Sequence, residues 1–269
     1  MSRLAVIAFT LAVVPAFPFR HASAQRQQQP ARPPAAAARA ATERAVPFTV
    51  GETLTYDISW STYVSAGTAV MTVKEKKPSY NSTAYYIVAE GRPTPLLSKL
   101  YALYYKLDTL LDSYTLLPQR GSIYTEEGKR HRFRTTTFDQ KAHRAHFEYR
   151  AEGTATSDVQ VSPVVQDALS AIYVLRAVPL GSGERITMPI CDNGVNYKLQ
   201  VDTSGPETIR TGTGSLSSLK LNLTILDSRD QRVGRNAAVW MSDDRRRLPT
   251  KLTAELPVGS FNLVLREAR

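Results

Sequence analysis

From Pro47 onward, hydrophobic and polar positions alternate in short segments rich in Tyr, Val, Ile and Thr, and Gly, Pro, Asn and Asp separate one segment from the next. A period of two is that of a strand with one face buried. Leu54 to Trp60 and Thr68 to Val73 alternate in this way and predict an antiparallel pair, which Tyr85 to Ala89 extends. Arg130 to Phe138 and His143 to Tyr149 flank Asp139-Gln140-Lys141-Ala142 and predict a second hairpin, with Phe133 on one face of its strand and Phe138 on the other. Leu219-Lys220-Leu221-Asn222-Leu223 has the same period.

Two stretches depart from it. Ser162-Pro163 reads as a helix start, a capping hydroxyl followed by a proline whose missing N–H costs nothing at the first position. Val164, Ala168, Ile172 and Leu175 then fall on one stripe, with Val165, Leu169 and Tyr173 beside it, so a wide-faced amphipathic helix is predicted over about 163–177. Leu96 to Tyr105 begins with helical spacing and then turns ambiguous; a short helix to about Tyr101 and a strand after it are expected. Asp112 to Arg120 and Asp243 to Lys251 share a pattern of Asp, four residues, Leu-Pro, one residue and a base. Asp opens a turn in each, and proline sits where a strand restarts. The echo allows two pseudo-halves, about 46–150 and 183–269, joined by the helix. The expected fold is α+β and mostly β: a strongly curved antiparallel sheet or partly closed barrel with one main helix, a single domain over 46–269.

The N-terminus changes the compartment. Arg3 precedes an apolar run from Leu4 to Phe19, and Ala22-Ser23-Ala24 ends it, which is the order of a cleavable signal peptide over 1–24. The run is short for a spanning helix and holds Pro15 and Pro18. No later segment reaches spanning length, so no transmembrane span is expected after cleavage. Residues 25–45, rich in Pro, Gln, Ala and Arg, read as a disordered tether.

The formal net charge of +10 is shared between these leading segments and the folded part. What remains on the domain is a moderate excess, and export removes most access to nucleic acid, leaving anionic lipid or envelope polymer as charged partners. The single cysteine, Cys191, excludes an intramolecular disulfide, and its apolar surroundings predict a buried, inert thiol. His143 and His146 differ by an odd number and would point to opposite faces of a regular strand, so with His131 they do not predict a metal site. Gly-x-Ser-x-Gly is absent, and Gly212-Thr213-Gly214 precedes a strand rather than opening a helix as a phosphate loop does. Neither a cofactor nor a catalytic motif is expected.

Four ordered blocks then carry a resemblance: Pro47-Phe48-x-Val50-Gly51-Glu52-x-Leu54-x-Tyr56, Ala66-Gly67-Thr68-Ala69, Asp167-Ala168-Leu169-Ser170-Ala171-Ile172-Tyr173-x-Leu175-Arg176 and Trp240-x-Ser242-Asp243-Asp244-x-x-x-Leu248-Pro249. Together, from about Phe48 to Leu265, they resemble the exported bacterial proteins grouped as domain of unknown function 3108. The resemblance implies an envelope protein of mostly β structure, with no assigned activity and no established site. A sheet curved around a helix is also similar to the half-barrels of periplasmic lipoprotein carriers, as fold analogy alone.

Three functional classes follow. The first is a non-catalytic envelope protein that binds an apolar or amphipathic, lipid-like ligand, with Leu100, Tyr101, Tyr104 and Trp240 as lining candidates because apolar barrel mouths are common ligand sites. The second is a structural or anionic-polymer-binding module using Arg130, Arg132 and Arg134 on one hairpin face. The third is a hydrolase with an unrecognised site, for which Asp167, Tyr173 and Arg176 are the candidates. Oligomeric state is open.

Overall fold

The computed structural model describes residues 42–61, 64–100, 102–256 and 259–269. The expected signal peptide, the expected tether up to residue 41, and Tyr101 lie outside these residues. Eight strands come first: β1 (Thr53–Trp60), β2 (Val64–Ser79), β3 (Ser82–Pro93), β4 (Leu103–Asp112), β5 (Pro118–Glu127), β6 (Arg130–Asp139), β7 (Arg144–Arg150) and β8 (Thr154–Gln160). Six follow: β9 (Arg185–Asp192), β10 (Val195–Thr211), β11 (Gly214–Leu226), β12 (Arg232–Ser242), β13 (Pro249–Leu256) and β14 (Gly259–Ala268). Helix α1 (Pro95–Leu100) lies between β3 and β4, and α2 (Ala168–Ala177) between β8 and β9.

All fourteen strands form one antiparallel sheet in the order β8 to β1, then β14 to β9. Each strand pairs with its sequence neighbour except at one place, where β1 pairs with β14 and sets Tyr56 opposite Leu265 and Ile58 opposite Leu263. The two ends of the domain therefore meet in the middle of the sheet, and β8 and β9 are its edges. These edges do not pair into a closed barrel, but the chain between them draws them together. Gln166 makes an isolated bridge to β9, donating its N–H to Pro189 O and accepting from Cys191 N, both at 2.9 Å. Asn196 Nδ2 donates to Gln160 O at 2.6 Å, and a side chain at Gly194 would press on Phe147.

The inner face carries the core, and α2 divides it. Leu169 and Tyr173 pack with Leu54, Tyr56, Val73, Ile87 and Leu265, whereas Ala171 and Leu175 pack with Leu199, Val201, Leu221, Val239 and Met241. Burial of each such aliphatic side chain contributes about 1.5–3 kcal/mol, so the helix is the post on which both halves of the sheet lean.

The helix is shorter than its periodicity predicts. Ser162 and Pro163 are exposed, Val164 sits at φ 58° with its side chain outward, and the backbone of Gln166 is spent on β9. The working start is Asp167: its Oδ1 accepts from Leu169 N and Ser170 N, both at 2.8 Å, while Ser170 Oγ accepts from Asp167 N at 2.9 Å. This reciprocal capping box outweighs the serine-proline signal five residues earlier. At the other end Pro179 forces Val178 into the extended region and ends the helix. The short helix followed by a strand, expected after Leu96, is α1 followed by β4.

The two Asp-to-Leu-Pro turns share an aspartate cap and a positive φ, but the capping aspartate of the second is Asp244, one place later in the pattern than the expected Asp243. Asp112 Oδ1 accepts from the N–H groups of Tyr114 and Thr115, Asp244 Oδ1 accepts from those of Arg246 and Arg247, and Leu116 and Arg247, at the same place in the pattern, both have positive φ. Pro118 and Pro249 then open β5 and β13.

At its C-terminal end α2 is fixed by a buried ion pair. Arg176 donates to both oxygens of Glu52, at 2.6 and 2.9 Å, and also to Arg247 O at 3.0 Å and Arg246 O at 3.1 Å. The rings of Phe48 and Tyr173 flank its guanidinium, with centroids 5.3 and 5.2 Å away. Removing one partner strands the other charge. Arg176→Met is expected to lose about 3–5 kcal/mol in urea unfolding, and Glu52→Leu/Arg176→Met to recover most of it. A loss below about 1 kcal/mol, the scale of an exposed pair, would show that the pair does not anchor the helix.

Candidate functional site

Ten residues of helix cannot cover the inner face of fourteen strands. Between α2 and the inner face of β9 to β14 lies a cavity of about 650 Å³. Ala168, Ala171, Ile172 and Leu175 line it from the helix, and Tyr197, Leu199, Leu223, Val239, Leu252 and Leu263 from the sheet. Small residues make the space: two alanines on the helix side, and the cross-strand pair Ala237 and Ala254 on the sheet side. Ile172, Leu223, Leu252 and Leu263 are only half-buried, so apolar surface is left facing the opening.

A β-bulge shapes the mouth. Leu223 pairs with Ala237 and Ile225 with Val233, so Gly234, Arg235 and Asn236 oppose Thr224 alone. Gly234 takes φ 78°, which a β-carbon would disfavour, and the strand bends away there. Ile225, 40% exposed, and Val233 form the lip. Asp192 is the one charged side chain in the lining, with its carboxyl held above the usual range by burial and opposed by the nearby Arg134 charge. Tyr197 is the other polar side chain on that face. Such walls bind by shape and apolar contact, with few hydrogen bonds to offer.

A second, much smaller hollow of about 30 Å³, room for a single water, lies at the N-terminus of α2 among Asp108, Arg134, Asp167, Cys191 and Asp192. Thr109 Oγ1 donates to Asp167 Oδ2 at 2.6 Å. Desolvation pushes the Asp167 carboxyl up to about 6 against its hydrogen bonds from Ser170, Thr109 and Leu169. Burial likewise pushes the Cys191 thiol up to about 11, which keeps it protonated and weakly nucleophilic at neutral pH.

Of the site candidates singled out from the sequence, Arg134 and Asp167 border this small hollow, and the other described ones lie apart from it. Leu100 closes α1. Tyr104 is on the opposite face of β4 from the core-facing Leu107; its hydroxyl donates to Glu90 at 2.5 Å, the Arg92 guanidinium lies 4.6 Å from its ring centroid, and partial burial pushes its pKa up to about 12. Trp240 is buried on the face of β12 away from the cavity, where its Nε1–H donates to Glu207 at 2.7 Å and Lys251 and Lys220 sit over its ring at 4.6 and 5.2 Å. Neither lines the apolar cavity. Arg130, Arg132 and Arg134 share one face of β6, but Arg132 is paired with Glu127 at 2.9 Å and Arg134 lies 5.9 Å from the Tyr149 ring. Asp167 and Arg176 are at opposite ends of α2, one capping and one ion-paired, and Tyr173 between them is fully buried. His131 meets Tyr124 and His146 meets Asp158, while His143 occupies the β6–β7 turn.

Sequence reasoning missed the cavity walls. The signal available was the alternation Leu219, Leu221, Leu223, Ile225 continuing unbroken while Ala237 and Ala254 replaced bulk on the neighbouring strands.

The family model described as protein of unknown function, DUF3108, matches residues 55–266. Among curated proteins none matches the chain. A β-barrel-like protein of domain of unknown function DUF1849 from Brucella abortus is similar in structure, with a TM-score of 0.51 and 10% identity over 81% of this chain and 97% of that one. A provisionally assigned lipoprotein from Parabacteroides distasonis aligns at 8% identity over 85% of this chain and 100% of that one, with a TM-score of 0.36. The first of these shows a shared barrel-like fold.

The raised carboxyl of Asp167 has a definite sign. Its folded pKa of about 6 exceeds the unfolded value of about 3.9, so its contribution to stability is complete below about pH 4 and is lost as pH rises through about 6. Asn also caps helices but does not titrate. Relative to Asp167→Asn, the native chain is expected to lose about 1–2 kcal/mol between pH 4 and 7 in urea unfolding. Parallel pH profiles for the two proteins would contradict the assignment.

Proposed function

We propose that this chain, which belongs to the DUF3108 family of proteins of unknown function, is a non-catalytic envelope protein that holds an apolar or amphipathic molecule between α2 and the inner face of β9 to β14. The observation that carries this reading is the cavity itself: about 650 Å³, walled by aliphatic side chains and open at the β12 bulge. Its volume lies within the range of about 300–1,000 Å³ typical of small-molecule sites. Asp192, the one carboxylate in the lining, disfavours an anionic group inside, so the polar end of an amphipathic ligand would stay at the lip, by Ile225 and Val233. The charged start, apolar run and small-residue ending of residues 1–24 support an exported location. Asp167, Tyr173 and Arg176, the residues a hydrolase would have called on, are committed to capping, core packing and an ion pair, which supports a role without catalysis.

Native mass spectrometry of the protein purified from its own cells, followed by organic extraction, tests the reading. A stoichiometric amphipathic molecule is expected on the native chain. Ala237→Trp, which fills the cavity from the sheet side, is expected to carry none while unfolding at the same or a higher temperature. A clean unliganded mass for the native chain under gentle conditions would overturn the proposal. An undiminished load in Ala237→Trp would place the ligand outside the cavity.

A further inference from the structure

We propose that one rim of the sheet, built from the facing ends of β1 and β2, α1 and the β5–β6 turn, docks on the surface of a bilayer that bears anionic headgroups. Backbone contacts make this rim continuous. Val64 pairs with Trp60 at the facing strand ends, and Thr94 N donates to Ala66 O at 3.0 Å, which seats α1 beside the start of β2. On the far side Gly128 N donates to Ala102 O at 2.8 Å and ties the end of the α1 segment to the β5–β6 turn.

The side chains along this path have an amphipathic order. Trp60 is 45% exposed, Val64 48% and Leu96 72%. Scattered exposed apolar residues are ordinary, but three large ones at facing strand ends and on the adjoining helix gather along one rim, as at interaction sites. Lys99, Lys129 and Arg130 follow, all exposed. Of the two carboxylates at the end of β5, Glu127 is balanced by Arg132 at 2.9 Å, which leaves Glu126 against the three cations. The rim therefore presents net positive charge around an apolar tip. Tryptophan favours the headgroup level of a bilayer, leucine favours the depth below it, and lysine and arginine favour anionic headgroups. A fluid surface with that gradient of polarity matches this order of residues, and its charge is complementary.

The contact goes beyond ligand binding and does not depend on it, although a lipid-like cargo would be exchanged at such a surface. Co-sedimentation of the full chain with vesicles tests it, comparing phosphatidylcholine alone with phosphatidylcholine mixed with phosphatidylglycerol. The native protein is expected to sediment with the anionic vesicles, less so as salt is raised. Lys99→Glu/Lys129→Glu/Arg130→Glu is expected to weaken this binding by roughly tenfold or more. Leu96→Glu, at the most exposed of the three apolar positions, is expected to lose the salt-resistant part with its unfolding temperature unchanged. Equal sedimentation with both kinds of vesicle, or native-like binding by both variants, would overturn the proposal. Ala237→Trp separates the two sites: vesicle binding kept while cargo is lost supports the rim, and vesicle binding lost with the cargo overturns it, because the contact would then run through the cavity.

Discussion

The guanidinium of Arg176 is the point through which the domain is held together. It lies in a place that water does not reach, where an unpaired charge would be costly, and four of its N–H groups find acceptors. Glu52 takes two of its N–H groups side by side, the carbonyls of Arg246 and Arg247 take others, and Phe48 and Tyr173 flank it. These partners come from three distant segments: the residues leading into β1, helix α2, and the turn between β12 and β13. A hydrophobic group could fill the same volume, but it would not dictate which three segments meet or in what orientation. Bidentate geometry does, because a planar fork accepts its carboxylate in one plane only.

Once α2 is fixed there, the rest of its position follows. Its other end is held by Asp167, whose carboxylate caps the helix and accepts from Thr109 on β4, and by Gln166, which bridges to β9. A helix pinned at both ends in this way packs on Leu221, Val239 and Met241 through Ala171 and Leu175 but is not free to shift over Leu223 and Ile225. In most cores a gap of this size would be closed by collapse of the neighbouring elements, since apolar surface left in contact with water costs about 25 cal/mol per Å². Here collapse would require breaking either the ion pair or the cap. The cavity is thus a consequence of how the helix is tethered.

The same constraint explains what could be read from the sequence. Alternation in Leu54 to Trp60, Arg130 to Phe138 and Leu219 to Leu223 identifies strands because each buries one face, and turn residues mark where they end. Parity within a strand does not say which strands are neighbours, so the pairing of β1 with β14 had no local signal. Nor does it say which apolar face is the inner one. Trp240 lies between Val239 and Met241 in an apolar run, and only the lysines opposite it, Lys220 and Lys251, show that its face is the outer one. The start of α2 was misplaced because Ser162-Pro163 and Asp167-x-x-Ser170 are both valid caps. The choice between them was made by the bridge from Gln166 to β9, a tertiary contact. The cavity walls were hidden for a different reason: they are defined by absent bulk at Ala171, Ala237 and Ala254, and alanine in a strand or helix carries no chemical flag.

That absence is nonetheless specified residue by residue. Ala168 and Ala171 keep the surface of the helix low where it faces β9 to β14, Ala237 and Ala254 do the same on the sheet, and Gly234 supplies the positive φ of the bulge in β12 at the mouth. Larger side chains at any of these alanines would fill the space left open before the half-buried Leu223, Leu252 and Leu263. Filling a cavity is among the simplest ways to stabilise a fold, so each alanine here leaves stability unrealised. The alanines of the lining and the bulge in β12 each keep the same apolar space open. The buried ion pair fits this account as well: it gives the helix an anchor that does not rely on packing against the side it leaves open.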